Sequence, residues 1–429
     1  MTNSAKEKRN NRFGAVFQGY EGPAFAVRLW DGKCWSSTAN EKPACTLVIE
    51  NPTALGTLLA SPNEITLGEA YIHGELDVEG DIFPAFSIAQ HLFNRPRGLK
   101  RSAVEMLART GFGVGQRIRH GALNSRCSDR ASIAYHYDQP VAFFEPWLGK
   151  SLVYSCAYFH SPADSLDTAQ EQKLDLVCTK LRVQPSERFL DIGCGWGSLV
   201  LHAGGKRQAE AYGITLSREQ AETSERRIAA AGLERYCSVA LRDYRDLEGT
   251  RQPFDKISSI GMFEHVGLKN LPLYFGIVRR LLRPGGLFLN HHIARACLSA
   301  IRADSFIGRY VFPGGRLVTL TESVSAAEAQ GFEVRDVENL REHYELTLRR
   351  WVDGLQRNSA MLLKLVPKTT YRIWLLYMAG SAAAFRRGDI GVYQALLSRT
   401  DRGASHLPLT RSDWYANHPL RPTEDEVSV

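Results

Sequence analysis

The sequence predicts an α/β protein with a doubly wound, mainly parallel sheet, preceded by a smaller α+β domain. Three observations lead to this prediction. Short apolar runs alternate with helical runs between residues 170 and 294, a glycine-rich turn follows the first apolar run, and the first 93 residues differ in texture from the rest. Strands that alternate with helices imply right-handed crossovers and a parallel sheet covered on both faces.

Residues 1–93 are predicted to form a separate N-terminal accessory domain. Their β-like runs are broken by Gly, Pro and Asn and cover residues 25–30, 46–50 and 64–72. The pairs Asp31-Gly32 and Glu79-Gly80 are typical of turns. We therefore expect a small sheet before the main domain begins.

Residues 94–130 are predicted to form a basic linker that begins with an amphipathic helix over residues 99–110. The segment contains nine basic and two acidic residues, whereas the whole chain has a net charge of only +7. Such a run suits an anionic surface, either nucleic acid or phospholipid headgroups. The alternative is a solvated connecting segment without a partner.

Residues 131–410 are predicted to form the main domain, and residues 411–429 a C-terminal tail. Helices are expected over residues 169–181, 217–231 and 271–282, the second of them ended by Gly232. Strands are expected over residues 188–192, 210–216, 238–242, 255–260 and 286–293. A ligand of such a sheet binds at the carboxyl ends of its strands.

The most informative motif is Leu-Asp-Ile-Gly-Cys-Gly-Trp-Gly at residues 190–197, where the first strand of this domain meets a helix. Glycines at such a turn let the backbone approach a ligand, and we expect Gly195 to need space that a side chain would fill. The alternating glycines behind Asp191 resemble the S-adenosylmethionine-binding motif of Rossmann-like class I methyltransferases. The alternative is a tight strand–helix turn without a ligand.

Further motifs resemble one family, the cyclopropane-fatty-acyl-phospholipid synthases. The matching residues lie at 136–138, 154–159, 213–217, 261–267, 290–293 and 344–351, in the family's order. The resemblance runs from about residue 131 to residue 399 and makes this the catalytic domain. It implies transfer of a methylene from S-adenosylmethionine to the cis double bond of a phospholipid acyl chain, with a bound bicarbonate ion as the base.

The resemblance also assigns site residues. The residues that would hold bicarbonate are Cys156, Glu264, His291, the backbone of Ile293, and Tyr344. Alternatives remain open: a buried structural Cys156, a surface Glu264–His265 pair, a structural His291, and a Tyr344 that packs against Trp351. Glu264 is unusual in this set, because two anions repel each other unless they share a proton.

The residues expected to contact S-adenosylmethionine follow from the same motifs and from the positions after the second and third strands. Gln220 has a competing explanation, since Ser217 and Gln220 have the spacing of a helix capping box. No metal site is predicted. The predicted cofactor residues are Tyr154, Ser155, Asp191, Gly193, Cys194, Gly195, Gly197, Thr215, Leu216, Gln220, Asp243 and Tyr244.

The composition limits the classes of protein to which this chain can belong. The weakly polar stretch at residues 373–385 is shorter than the roughly 20 residues that a spanning helix requires. The eight cysteines form no CxxC pair, so we expect free thiols. We expect a cytoplasmic enzyme that associates peripherally with the membrane. We expect no nucleic-acid partner. Rival hypotheses are an acyl-chain methyltransferase with a methylene- or methyl-branched product, and a lipid-binding protein without activity. A homodimer formed through the N-terminal domain is a further expectation.

Overall fold

The computed structural model describes residues 14–60, 62–94, 139–247, 249, 252–296, 305–312 and 317–415. The predicted amphipathic helix at residues 99–110 lies outside the described residues. The chain divides into two compact units. The first comprises Met1–Trp147, Leu298–Gly315 and Tyr344–Asp389, and the second comprises Leu148–Cys297, Arg316–His343 and Ile390–Val429.

The first unit contains a four-stranded sheet with the order β2-β1-β3-β4. Its strands are β1 (Phe25–Leu29), β2 (Cys34–Ser36), β3 (Cys45–Ile49) and β4 (Leu76–Gly80). Strand β1 is parallel to β3, and the other two pairs are antiparallel. Alternate residues of β1 are buried, so one face of the sheet packs on the core. The expected separate N-terminal sheet is therefore confirmed.

The helices of the N-terminal region are Pro52–Ala60, Glu64–His73 and Phe83–Asn94. The predicted strand at residues 64–72 is wrong, because these residues form the second of these helices. Asn63 begins this helix with a capping box, in which its side chain accepts from Thr66 N and Thr66 Oγ1 accepts from Asn63 N. Gly74 ends it with a φ of 77°. These local caps outweigh the β-branched residues that suggested a strand.

Later helices complete the first unit. They are Val141–Leu148, Phe306–Tyr310, Arg341–Arg357, Ser359–Leu365 and Lys368–Arg387, of which the first ends and the third begins in the second unit. Within the unit, Phe143, Phe144 and Trp147 each contact Trp374 with ring centroids 5.4 to 5.7 Å apart. Arg372 donates to Tyr71 O and forms an ion pair with Asp77. Residues 344–389 thus pack with the N-terminal sheet and helices.

The second unit contains a seven-stranded sheet with the order β10-β11-β9-β8-β5-β6-β7. Strands β5 to β9 are mutually parallel, and β11 runs antiparallel to both β9 and β10. The strands are β5 (Arg188–Ile192), β6 (Glu210–Thr215), β7 (Cys237–Leu241), β8 (Phe254–Ile260), β9 (Leu282–Arg295), β10 (Glu333–Asn339) and β11 (Ile390–Ser398). This arrangement confirms the predicted α/β fold class.

Helices cover both faces of this sheet. Phe189 and Leu190 are neighbours on β5 but belong to separate cores on opposite faces, as expected for a doubly wound sheet. The chain passes from β5 to β6 and β7 on one side and then returns to β8 on the other side of β5, so the strand order reverses there and the carboxyl end of β5 is the place for a ligand. The covering helices are Leu166–Lys180, Ser198–Arg207, Arg218–Ala230, Leu271–Leu281, Leu320–Ala329 and Ser412–Tyr415.

Candidate active site

The carboxyl ends of β5, β6 and β7 bring the predicted cofactor residues to one edge of the sheet. Gly193 follows β5, Thr215 ends β6, and Asp243 follows β7. The turn after β5 is tied to β6, because the amides of Gly193 and Cys194 both donate to Ile214 O, at 2.9 and 3.0 Å. The glycine turn therefore lies beside Thr215 at the point where the strand order reverses.

The glycines of this turn have different constraints. Gly193, Gly195 and Gly197 have φ angles of +80°, +55° and +79°, a region that favours glycine. A Cβ atom on Gly193 would lie 2.9 Å from Met262 Cβ, whereas a Cβ atom on Gly195 would have no described protein atom within 4 Å. Among the described protein atoms the space requirement belongs to Gly193, and the expected space requirement of a ligand at Gly195 stays a prediction.

Asp191 and Ser155 are joined through a buried lysine. Lys173 Nζ donates to Ser155 Oγ at 2.9 Å, and Asp191 accepts from Ser258 Oγ at 2.7 Å. Burial raises the pKa of Asp191 to about 6, against the opposing effects of the Ser258 hydrogen bond and the Lys173 charge. Burial lowers the pKa of Lys173 to about 8, and Asp191 and Cys156 are among the groups that oppose this shift.

Gln220 takes part in the helix cap but does not complete the predicted capping box, and its contact with the cofactor stays a prediction. Its backbone amide donates to Ser217 Oγ at 3.3 Å, as a helix cap requires. Its side chain does not complete a capping box but accepts from Thr215 Oγ1 at 2.7 Å. The side chain therefore lies at the end of β6, beside partly buried Leu216.

The other predicted cofactor residues have these surroundings. The Asp243 carboxylate accepts two side-chain bonds from Arg245, at 2.9 and 2.6 Å. The Tyr244 ring lies 5.5 Å from that of Tyr274. Tyr154 is partly buried next to buried Ser155.

Glu264 and His291 both lie near the carboxyl end of β8, which pairs with β9 at Ile260 and His291. Glu264 lies in the short 3₁₀ helix Phe263–His265 that follows β8, and its Oε1 accepts from Ile293 N on β9 at 2.6 Å. His291 lies two residues before Ile293, hence on the same face of β9. Glu264 Oε2 and His291 Nε2 are both buried without a hydrogen-bond partner among the described residues.

The protonation of these two groups follows from their surroundings. Burial raises the pKa of Glu264 to about 7, although the Ile293 amide opposes this shift. Burial lowers the pKa of His291 well below its ordinary value, and the charges of Lys173, His292 and Lys180 lower it further. His291 is therefore neutral at pH 7, and the neutral form of the Glu264 carboxyl is available near that pH.

A hydrogen-bonded chain fixes the position of the proton on neutral His291. Lys180 Nζ donates to Gln394 Oε1 at 2.8 Å, and Gln394 Nε2 lies 3.2 Å from His291 Nδ1. An ammonium group can only donate, so the Gln394 oxygen accepts and its NH₂ group donates to His291 Nδ1. The imidazole proton must then reside on Nε2, the atom without a described partner.

Cys156 and Tyr344 have local contacts as well. Cys156 is fully buried, and its Sγ lies 3.2 Å from Ala157 O and 3.8 Å from Leu340 O. Tyr344 belongs to the first unit, where its ring packs 6.0 Å from Trp351 and 4.7 Å from Phe385. Packing against Trp351 was the structural alternative for Tyr344, and its role towards bicarbonate stays a prediction.

Comparison with known proteins identifies the family. The model of the mycolic acid cyclopropane synthetase family matches residues 124–395, well over half of the chain. The chain belongs to this family. A domain of unknown function matches residues 13–93.

Relatives agree with this assignment. A probable fatty acid methyltransferase of Pseudomonas putida is 38% identical over 91% of this chain and 95% of its own length. A cyclopropane-fatty-acyl-phospholipid synthase of Escherichia coli strain K12 is 36% identical over 62% of this chain and 66% of its own. The structure of a mycolic acid cyclopropane synthase with S-adenosylhomocysteine bound has a TM-score of 0.59, with 35% identity over 62% of this chain and 97% of its own. This protein is accordingly an S-adenosylmethionine-dependent methyltransferase that modifies lipid acyl chains.

Three buried residues contact predicted site residues or their partners but were not predicted themselves: Lys173, Lys180 and Gln394. The lysines lie seven residues apart on the helix Leu166–Lys180, so both face the interior beside apolar Leu174 and Val177. A lysine on the apolar face of a helix is unusual, and this position could have indicated a functional role for both lysines from the sequence. Gln394 offered none, because it reaches His291 only through the pairing of β11 with β9.

Gly193→Ala is expected to weaken S-adenosylmethionine binding about tenfold or more. The new methyl group would overlap Met262 Cβ and add strain at a φ of +80°, which displaces the glycine turn. Gly195→Ala is the matched variant with strain but without overlap, and should bind the cofactor more tightly than Gly193→Ala. Isothermal titration calorimetry measures both affinities, and equal affinities would contradict this order.

Proposed function

We propose that this enzyme transfers a methylene from S-adenosylmethionine to the cis double bond of phospholipid acyl chains and forms cyclopropane fatty acids. The observation that carries the proposal is the pair Glu264 Oε2 and His291 Nε2, two buried polar atoms without described partners at the ligand-binding edge of the sheet. A simple methyl transfer to an anionic acceptor would not require an additional acid–base group there.

Ring formation has particular chemical requirements. The alkene carbon bonds to the methyl group of the sulfonium, S-adenosylhomocysteine leaves, and the second alkene carbon becomes cationic. Loss of a proton from the added methyl group then closes the ring. Bicarbonate, when bound, would supply the base that accepts this proton. The site must also exclude water, because water would capture the cation.

The chemistry of His291 and Glu264 suits a small anion that shares a proton with the Glu264 carboxyl group. His291 Nε2–H can donate to it, and a protonated Glu264 can donate from Oε2. Because the pKa of Glu264 is raised to about 7, its neutral form is available near pH 7. This removes the repulsion expected between two anions. The resemblance implies that the Ile293 amide binds the anion directly. In the structure this amide donates to Glu264 instead, so we propose that it positions the carboxyl group that holds the anion.

A second candidate is an acyl-chain methyltransferase with a methylene- or methyl-branched product. The name of the Pseudomonas putida relative, a probable fatty acid methyltransferase, favours it. A methylene branch requires a hydride shift that moves the cation to the methylated carbon before the added methyl group loses its proton, and a methyl branch also requires a reductant. A base beside the added methyl group serves both the ring and the methylene branch, so the product must be identified directly.

We propose further that the enzyme works on phospholipids at a membrane surface, as a cytoplasmic and peripheral protein. Among the described residues no helix is long and apolar enough to cross a membrane.

Proton NMR of the product lipid tests this function. Purified enzyme is incubated with S-adenosylmethionine, bicarbonate and vesicles of an oleoyl phosphatidylglycerol, and the lipids are extracted. Ring protons resonate far upfield of ordinary acyl protons, whereas a methylene branch gives vinylidene protons and a methyl branch gives a doublet. Ring signals would support the proposal. Vinylidene or doublet signals without ring signals would establish the second candidate instead.

A further inference from the structure

The first unit exposes three large apolar side chains within five residues. Met361, Leu363 and Leu365 are 45%, 42% and 42% exposed, and they lie on the helix Ser359–Leu365. No other five-residue stretch of the described chain exposes three large hydrophobic side chains. Met361 and Leu365 lie one turn apart on one side of the helix and Leu363 lies on the other side, so the three flank the buried face of the helix. Singly exposed apolar residues are common on protein surfaces, whereas three this close together indicate an interaction surface. We call residues 360–369 the apolar–lysine surface.

Basic residues predominate in and around this segment, and exposed Asp353 is the nearest acidic residue in sequence. Residues 354–371 contain Arg357, Lys364 and Lys368 and no Asp or Glu. All three basic residues are exposed, and Lys364 lies between Leu363 and Leu365. Apolar side chains mixed with lysines are typical of segments that lie in the interface of an anionic bilayer.

The helix is anchored and not a loose loop. Leu362 is fully buried, Val366 is 5% exposed, and these residues tie the helix to the first unit. Asn358 Nδ2 donates to Pro146 O at 3.0 Å and to Gly354 O at 2.8 Å, immediately before the helix begins. The exposed side chains are therefore presented to solvent by a fixed backbone, which lowers the entropy cost of docking.

We propose that the apolar–lysine surface docks the enzyme on an anionic phospholipid bilayer, with Met361, Leu363 and Leu365 inserted among the headgroups and Lys364 and Lys368 against lipid phosphates. The inference rests on the proposed phospholipid substrate, which places the enzyme at such a bilayer. An acidic protein partner would match the lysines but would leave the protruding aliphatic side chains without an apolar environment.

Vesicle co-sedimentation without S-adenosylmethionine tests the docking independently of catalysis. The triple variant Met361→Gln/Leu363→Gln/Leu365→Gln should bind phosphatidylglycerol vesicles about tenfold more weakly than the parent. Lys364→Gln/Lys368→Gln should also bind more weakly, and this loss should shrink at high salt. The matched controls are Trp30→Gln/Leu409→Gln, two exposed apolar residues elsewhere, and Lys33→Gln/Lys206→Gln. Both controls should bind as the parent does.

Hydrogen exchange localises the contact. Amides within residues 359–369 should exchange more slowly when phosphatidylglycerol vesicles are added. Phosphatidylcholine vesicles should slow their exchange less. Activity on detergent-dispersed lipid should survive in both docking variants, which separates failed docking from a wrong reaction. Unchanged vesicle binding by the triple variant would overturn the proposal. A dimer lost in the triple variant would show another occupant and would also overturn it.

Discussion

Glu264→Gln should lower kcat roughly 10²- to 10⁴-fold, the range that a positioned acid–base group contributes. The carboxyl group can share a proton with the anion that we propose beside it, whereas an amide cannot take up or release one. His291→Ala should have a similar effect, because it removes the Nε2–H donor. Both variants should bind S-adenosylmethionine within a few-fold of the parent, since no described contact joins either side chain to the glycine turn. Calorimetry and single-turnover assays measure the two properties separately.

The pH dependence gives a second test of Glu264. Its raised pKa means that the neutral carboxyl predominates below about pH 7 and the carboxylate above it. The affinity of the parent, expressed per bicarbonate ion because bicarbonate converts to CO₂ in acid, should therefore be constant at low pH and fall as pH rises through about 7. Glu264→Gln should lose this dependence. Glu328→Gln, an exposed glutamate on the helix Leu320–Ala329, is the control and should resemble the parent. Full turnover in both Glu264→Gln and His291→Ala would exclude these residues as the acid–base pair.

The site could be predicted where its residues belong to local motifs. Strand β5 has the bounds that the sequence predicts, and the glycine turn after it follows from adjacent residues. The helix Glu64–His73 was predicted as a strand, because Ile65, Thr66 and Ile72 suggest β structure and the decisive cap at Asn63 is a side-chain contact. Strands β10 and β11 were not predicted, since β10 is a polar edge strand and β11 follows a long helical region.

The chain from Lys180 through Gln394 to His291 could not be predicted for a different reason. Gln394 and His291 are 103 positions apart in sequence, and Lys180 is 214 from Gln394. They meet only because β11 inserts antiparallel beside β9 in a register that pairs these two residues. Register over such separations depends on the whole sheet and not on neighbouring residues. No single-residue property of Gln394 therefore indicates its role as a positioning residue.

Gln394→Glu should reduce turnover roughly 10²- to 10³-fold at neutral pH, the usual effect of losing one donor to a charged centre. A carboxylate at this position can still accept from Lys180 Nζ but can no longer donate to His291 Nδ1. The imidazole proton would move to Nδ1 and leave Nε2 as an acceptor, facing the anion. The protein should remain folded, because the two side chains have nearly the same volume.

The 15N shifts of His291 report this change directly. In protein labelled at histidine, the parent should show a protonated Nε2 and an unprotonated Nδ1, and Gln394→Glu should show the reverse; His291→Ala identifies the signals. The variant should also recover activity as pH falls. The new carboxylate opposes the effects of Lys173, Lys180 and His292 on the pKa of His291, so protonation at mildly acidic pH would restore the Nε2–H donor. A purely structural defect would change neither property. Unchanged 15N shifts together with full activity would show that Gln394 does not position the His291 proton.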